Sequence, residues 1–119
     1  MLIPASDPVG AVLHDALDGL AMRQRVAANN IANVDTPNFT ASKVDFESSL
    51  RTAVADGNVP DGPIQPTTEY SSDPAGANGN NVDLASETMT AMQATFQYQL
   101  LSRAVGDRYG LITTAIGGM

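Results

Sequence analysis

Apolar residues in the first third of the chain fall at Leu13, Leu17, Leu20, Ala27, Ile31 and Val34, and with Gln24 counted in they alternate steps of four and three. That spacing is the a/d seam of one helix packed on another, with a single polar interruption. Asp7-Pro8 supplies a cap acceptor followed by proline at the first helical position, where its missing N–H costs nothing. The pattern predicts a helix of roughly 25 residues, about 40 Å long. Thr36 precedes Pro37, which drives it out of the α region, so the helix ends at or before Thr36.

A second helix is predicted from Asp83, a capping residue, with Glu87 near the positive end of its dipole. One apolar stripe runs through Ala85, Met89, Met92, Phe96 and Leu100, and a neighbouring one through Leu101, Val105, Tyr109, Ile112 and Ile116. Gly106 weakens its middle and Gly117-Gly118 ends it. Between the helices, residues 56–81 carry Pro60, Pro63, Pro66 and Pro74 with Gly57, Gly62, Gly76 and Gly79, which predicts a flexible connector without regular elements. Val44 to Val54 fits either a short helix or part of an extended hairpin.

The expected fold is mainly α: two long terminal helices form a coiled-coil-like hairpin, joined by a Pro/Gly-rich flexible middle segment. As one structural unit it divides into an N-terminal axial helix (1–36), a turn and short ordered segment (37–55), the connector (56–81) and a C-terminal axial helix (82–119). Burying the first helix's seam returns on the order of 10–20 kcal/mol. Ordering its backbone costs about 1–2 kcal/mol per residue. Such helices need apolar partners on more than one side, and neighbouring copies or related chains are the simplest source.

Composition narrows the function. With 119 residues, 43% apolar residues, 5% aromatics and no Trp, the core must be thin and aliphatic. A net charge of -7 argues against a surface that tracks nucleic acid and leaves protein partners as the default. The chain has no Cys, so disulfides and thiolate ligands are excluded. The opening MLIPASDPVG has neither a basic n-region nor an apolar h-region, and no apolar run reaches membrane-spanning length. Neither a cleaved signal peptide nor a membrane span is expected.

Candidate chemistry is sparse. His14 is the single histidine, with only Asp15 and Asp18 near it on a face read as solvated. Asp35, Asp45 and Glu47 lack calcium-loop spacing and a paired base, and are read as solvated charges. Asn38-Phe39-Thr40 is formally a glycosylation sequon, but asparagine tolerates the left-handed conformation after Pro37, and a turn is the preferred reading. No catalytic, cofactor-binding or metal-ligating residue is expected. Met89, Met92, Phe96 and Tyr98 are read as packing residues. Asn29, Asn30 and Asn33 have two readings: they fray the helix end, or their amides bond to the backbone of the following loop and of neighbouring subunits.

NNIANVDTPNF (Asn29 to Phe39) resembles the amino-terminal signature N-N-I-A-N-x-x-T-x-G-[FY] of the flagellar rod, hook and hook–filament junction family. VDFE, GNNVDLASE and YQLL are similar to its proximal rod members. The resemblance covers about residues 10–50 and 78–116. Asn38 stands where the family has glycine, and Thr40 where a basic residue is common. Asparagine keeps a turn at positive φ.

The resemblance implies a structural subunit of the bacterial basal-body rod. It would be exported without a cleaved signal by the flagellar type III apparatus and assembled through its terminal helices into a torque-transmitting cylinder. The implied partners are copies of itself and other rod, basal-body and export-gate proteins, without nucleic acid, cofactor or a membrane span. The expected assembly surface comprises Leu13, Leu17, Leu20, Gln24, Ala27, Asn29, Asn30, Ile31, Asn33, Met89, Met92, Phe96, Tyr98, Leu101, Val105 and Ile112. Thr36, Pro37, Asn38 and Phe39 form the turn. A sister axial subunit of the same family, and a small helical secretion chaperone or regulator, are the competing readings.

Overall fold

The structure is a computed structural model that describes residues 8–56 and 65–117. Helix α1 spans Pro8–Ala32, strand β1 Ser42–Asp45, helix α2 Glu47–Asp56, strand β2 Thr67–Tyr70 and helix α3 Leu84–Gly117. The expected Asp7 cap and Gly118 lie outside the described residues. α1 and α3 run antiparallel: Gln24 meets Thr95, and further from the joint His14 meets Tyr109. The molecule is elongated, 66 × 26 × 18 Å.

α1 begins with proline at its first position and stops four residues short of Thr36, as the local chemistry requires. Asp83 caps α3: its Oδ1 accepts the Ser86 N–H at 3.2 Å, and its carbonyl accepts from Glu87 N–H at 2.9 Å. The ambiguous segment resolves into both alternatives in series. Val44 lies in β1, and α2 begins two residues after β1 ends, with the Asp45 carboxylate accepting from the Ser48 N–H at 3.2 Å as a cap.

The connector departs from expectation. Residues 57–64, with Gly57, Pro60, Gly62 and Pro63, lie outside the described residues. From Thr67 the chain forms β2, antiparallel to β1 in the register Ser42↔Tyr70 to Asp45↔Thr67. Local breakers did not prevent it because the stabilising bonds come from β1, more than twenty residues earlier, and Pro66 precedes the first strand residue, where proline is tolerated.

The core is thin. Ala16, Leu20, Val44, Phe46 and Ala94 are its buried members, with Met22, Val26, Leu50 and Leu101 packed against them. Phe46 is its one aromatic, and its ring lies directly on Gly19 of α1.

Candidate assembly surface

Asparagine side chains join the two helices at one end of the hairpin. Asn30 is fully buried, and its amide exchanges two hydrogen bonds with the backbone of Ser42: Nδ2 donates to the carbonyl at 2.9 Å and Oδ1 accepts from the N–H at 3.1 Å. This is what a neighbouring strand would do. The Ala41 carbonyl accepts from the Ser71 N–H at 2.8 Å, so by antiparallel alternation Ser42 and Val44 turn their polar groups away from β2. Asn30 occupies that outer edge at Ser42, and Arg23 Nη2 donates to the Val44 carbonyl at 2.8 Å.

Asn33 closes the end of α1. Its Nδ2 donates to the Asn29 carbonyl at 2.8 Å, and its Oδ1 accepts from the Thr36 hydroxyl at 3.1 Å. Asn38 has φ 60°, the left-handed conformation, and its N–H donates to the Asn78 carbonyl at 2.9 Å. Asn38→Gly should keep this turn, whereas Asn38→Val should destabilise it by about 1–2 kcal/mol through its branched Cβ. Thermal melts of the two variants check this, with the valine melt the lower.

Sequence reasoning missed the other half of the joint. Asn80 is buried and donates from Nδ2 to the carbonyls of Asn33 and Thr36, each at 2.8 Å, adding a second bond to acceptors that already take the Thr36 and Phe39 N–H in the turns after α1. Asn81 bridges the top of the hairpin: its Oδ1 accepts from the Ala41 N–H at 2.7 Å while its Nδ2 donates to the carbonyls of Ser71 and Asp73. Gly79, at φ +81°, lies so close to Asn38 that a Cβ there would overlap its side chain. The signal was present as a second asparagine cluster, Asn78 to Asn81, but its partners lie about forty residues away. Among the described residues no buried side-chain nitrogen or oxygen lacks a partner. Of the two readings of Asn29, Asn30 and Asn33, bonding to the backbone of the following segment is observed for Asn30, whereas Asn33 turns its amide back onto the Asn29 carbonyl at the helix end and Asn29 stays exposed, its Oδ1 3.4 Å from Asn33 Nδ2.

Arg23 ties α1 to the start of α2. It makes a two-pronged ion pair with Glu47, Nη1 to Oε2 at 3.1 Å and Nη2 to Oε1 at 2.5 Å, and its guanidinium lies 4.7 Å from the Phe46 ring centroid. The hydrogen bonds from Arg23 hold the Glu47 carboxyl below its ordinary range, against a smaller desolvation effect. Hydrogen bonds from Ser48 do the same for Asp45. Both residues therefore have structural partners rather than being merely solvated. His14 is also corrected: it is half-buried, its Nε2 lies 3.0 Å from the Tyr109 hydroxyl, and the adjacent Asp15 is buried. The periodicity had placed that face in solvent.

The expected assembly residues divide into two groups. Leu20, Ala27 and Asn30 are buried inside the chain, and Leu13, Leu17, Ile31 and Asn33 are half-buried. Gln24, the polar interruption of the seam, donates to Thr95 Oγ1 at 2.8 Å. On α3, Leu101, Val105 and Ile112 are half-buried, and Ala94 is fully buried. Leu20, Ala27 and Asn30 thus serve the single chain's own fold rather than a free surface. Asn29, Thr36, Pro37 and Asn38 are exposed, and Phe39 is half-buried.

Met89, Met92, Phe96 and Tyr98, read both as packing residues and as part of the assembly surface, are not core residues of the single chain. Met89, Met92 and Phe96 are 61%, 67% and 60% exposed, Leu100 is also exposed, and Tyr98 lies at the margin. Residues 94 and 96 differ by about 200° around a helix, so this stripe lies on the side of α3 away from α1. An alanine at position 94 lets the other face approach closely, and that choice sends the bulky stripe outward. Beside it, Leu20, Phe46, Glu47, Gln97, Leu100 and Leu101 line an open groove of about 310 Å³.

Among the described residues no cluster of three or more potential ligands is placed to hold a metal ion, and no helix is long and apolar enough to cross a membrane. Residues 12–40, from the seam through the turn, match the sequence profile of the family described as "Flagella basal body rod protein". The chain is 34% identical over 109 residues to flagellar basal body rod protein FlgB of Borreliella burgdorferi, covering 75% of this chain and 81% of that protein. It is 32% identical to FlgB of Bacillus subtilis over 117 residues, 89% of this chain and 91% of the relative. Against FlgB of Escherichia coli it is 31% identical over 124 residues, 87% and 90% of the two proteins. With 81–91% of each relative spanned at 31–34% identity, the chain belongs to the FlgB family of flagellar basal body rod proteins.

Proposed function

We propose that the chain is a structural subunit of the proximal rod of the bacterial flagellar basal body. It is exported from the cytoplasm by the flagellar type III system and assembled through its terminal helices. The observation that carries this reading is the solvent-facing stripe Met89, Met92, Phe96 and Leu100 on a helix whose other side is already packed. A helix apolar on opposite sides is stable in water only as part of something larger. Closing the stripe against a neighbouring helix contributes on the order of 5 kcal/mol per subunit, given about 1.5–3 kcal/mol for each fully buried side chain. Repeated along a rod, such contacts would hold a cylinder that carries torque. The partners on this reading are further copies and other rod, basal-body and export-gate proteins. The basal body, with the rod crossing the periplasm, is its location.

Phe96→Asp tests the assignment. Because Phe96 is largely exposed in the single chain, the purified variant should melt within about 2 °C of the parent, consistent with the small effects of surface substitutions. An uncompensated carboxylate in the docked stripe would be strongly disfavoured. Cells carrying only the variant should therefore be non-motile, with rodless basal bodies by electron microscopy. Parental motility with Phe96→Asp would refute docking through this stripe.

A further inference from the structure

We infer that Met89 and Met92 form a peroxide-sensitive modification site whose oxidation blocks docking of α3, an inference that rests on the assembly reading of that helix. The two thioethers form the N-terminal half of the exposed stripe, three residues and about 60° apart on one face of α3. Met92 also lines a shallow open groove with Ala91, Thr95, Phe96 and Gln99, so an oxidant reaches it from bulk water. Met22 supplies an internal comparison, since it packs against the buried core. The chain has no Cys, which leaves thioether sulfur as its only sulfur chemistry.

The oxidant is a hydroperoxide. With hydrogen peroxide, a sulfur lone pair attacks one peroxide oxygen, an S–O bond forms as the O–O bond breaks, and the departing hydroxide takes the proton carried by the transferred oxygen and leaves as water. Sulfur is oxidised by two electrons and the peroxide is reduced by two. The product, methionine sulfoxide, is a polar chiral side chain in place of a flexible apolar one, and the change is reversible by sulfoxide reductases. An adaptable methionine surface suits docking against another helix. The same surface carrying two sulfoxide oxygens would bury them without donors. Oxidation of the free subunit therefore prevents docking, while docking shields both sulfurs.

The test has a chemical arm and a cellular arm. Purified full-length chain is treated with hydrogen peroxide, and each methionine is followed by peptide mass mapping. Met89 and Met92 should oxidise about tenfold faster than Met22, in line with their accessibility, and equal rates would overturn the inference. In cells, Met89→Gln with Met92→Gln, which mimics the sulfoxide's polarity, should abolish motility, while hydrogen peroxide should lower the rate of new basal-body formation in the parent and not in cells carrying Met89→Leu with Met92→Leu. Motility in the glutamine pair would overturn the inference, as would equal peroxide sensitivity in the parent and the leucine pair. Phe96→Asp separates the two proposals. If it is non-motile while the glutamine pair swims, only the oxidation site fails; if it swims, the docking stripe itself is wrong.

Discussion

Asn30→Leu should lower the stability of the folded chain by about 2–4 kcal/mol and release the amide of Ser42 to rapid hydrogen exchange. The leucine nearly conserves volume, so packing is not the main loss. Both backbone groups of Ser42 lose the partner that the fully buried Asn30 amide supplied, at about 1–3 kcal/mol each. The added apolar burial offsets part of that. Asn30→Asp separates hydrogen bonding from shape, because it is isosteric but puts an oxygen against the Ser42 carbonyl. At neutral pH it should be at least as damaging as leucine. In acid the protonated carboxyl can donate, and part of the loss should return. Urea melts at both pH values, with exchange at Ser42, measure each step. A change under 1 kcal/mol for Asn30→Leu would show that β1 does not depend on this amide.

Glycine-to-alanine substitutions at two helical positions should have opposite signs. At Gly19 an added Cβ would overlap three carbons of the Phe46 ring, the farthest at 2.8 Å. The ring cannot swing away freely, being buried and lying beneath the Arg23 guanidinium. Overpacking of this kind costs about 1–3 kcal/mol or more. The gain in helix propensity is about 1 kcal/mol and does not cover it. Gly19→Ala should therefore destabilise. At Gly106, also helical, an added Cβ meets nothing within 4 Å. Only the propensity term operates there, and Gly106→Ala should raise the melting temperature. A stabilising Gly19→Ala would mean that α1 and the β1–α2 junction separate more easily than their packing implies.

What could be read from the sequence was whatever its immediate neighbours decide. Pro8, the Thr36-Pro37 stop, the positive φ of Asn38 and the Asp83 cap all depend on residues within four positions, and each appears where local chemistry puts it. The second strand was illegible because its partner is remote: Thr67 to Tyr70 look like loop until Ser42 to Asp45 are beside them. The same distance hid the pairing of Asn80 with Asn33 and Thr36. The facing of α3 failed for a different reason. Both its stripes are apolar, so periodicity cannot choose between them, and the choice falls to the small side chain of Ala94. Gly19 was likewise unread, since a glycine inside a helical pattern shows no sign of the ring that requires it.

The asparagine joint also has a mechanical consequence. Two antiparallel helices held only by leucines and alanines can slip past one another by a turn, about 5.4 Å, exchanging one set of holes for the next. Asn80 reaches from just before α3 to the carbonyls just past α1, and Asn30 and Asn81 tie α1 and the approach to α3 to the same strand segment, so a slip of one turn would break these bonds together. Axial load is then met in shear by several short hydrogen bonds acting in parallel at the joint, and the opposite half of the hairpin, gripped mainly by side-chain contacts such as His14 with Tyr109, deflects first. The molecule is a cantilever, stiff at its asparagine root and compliant toward its tip.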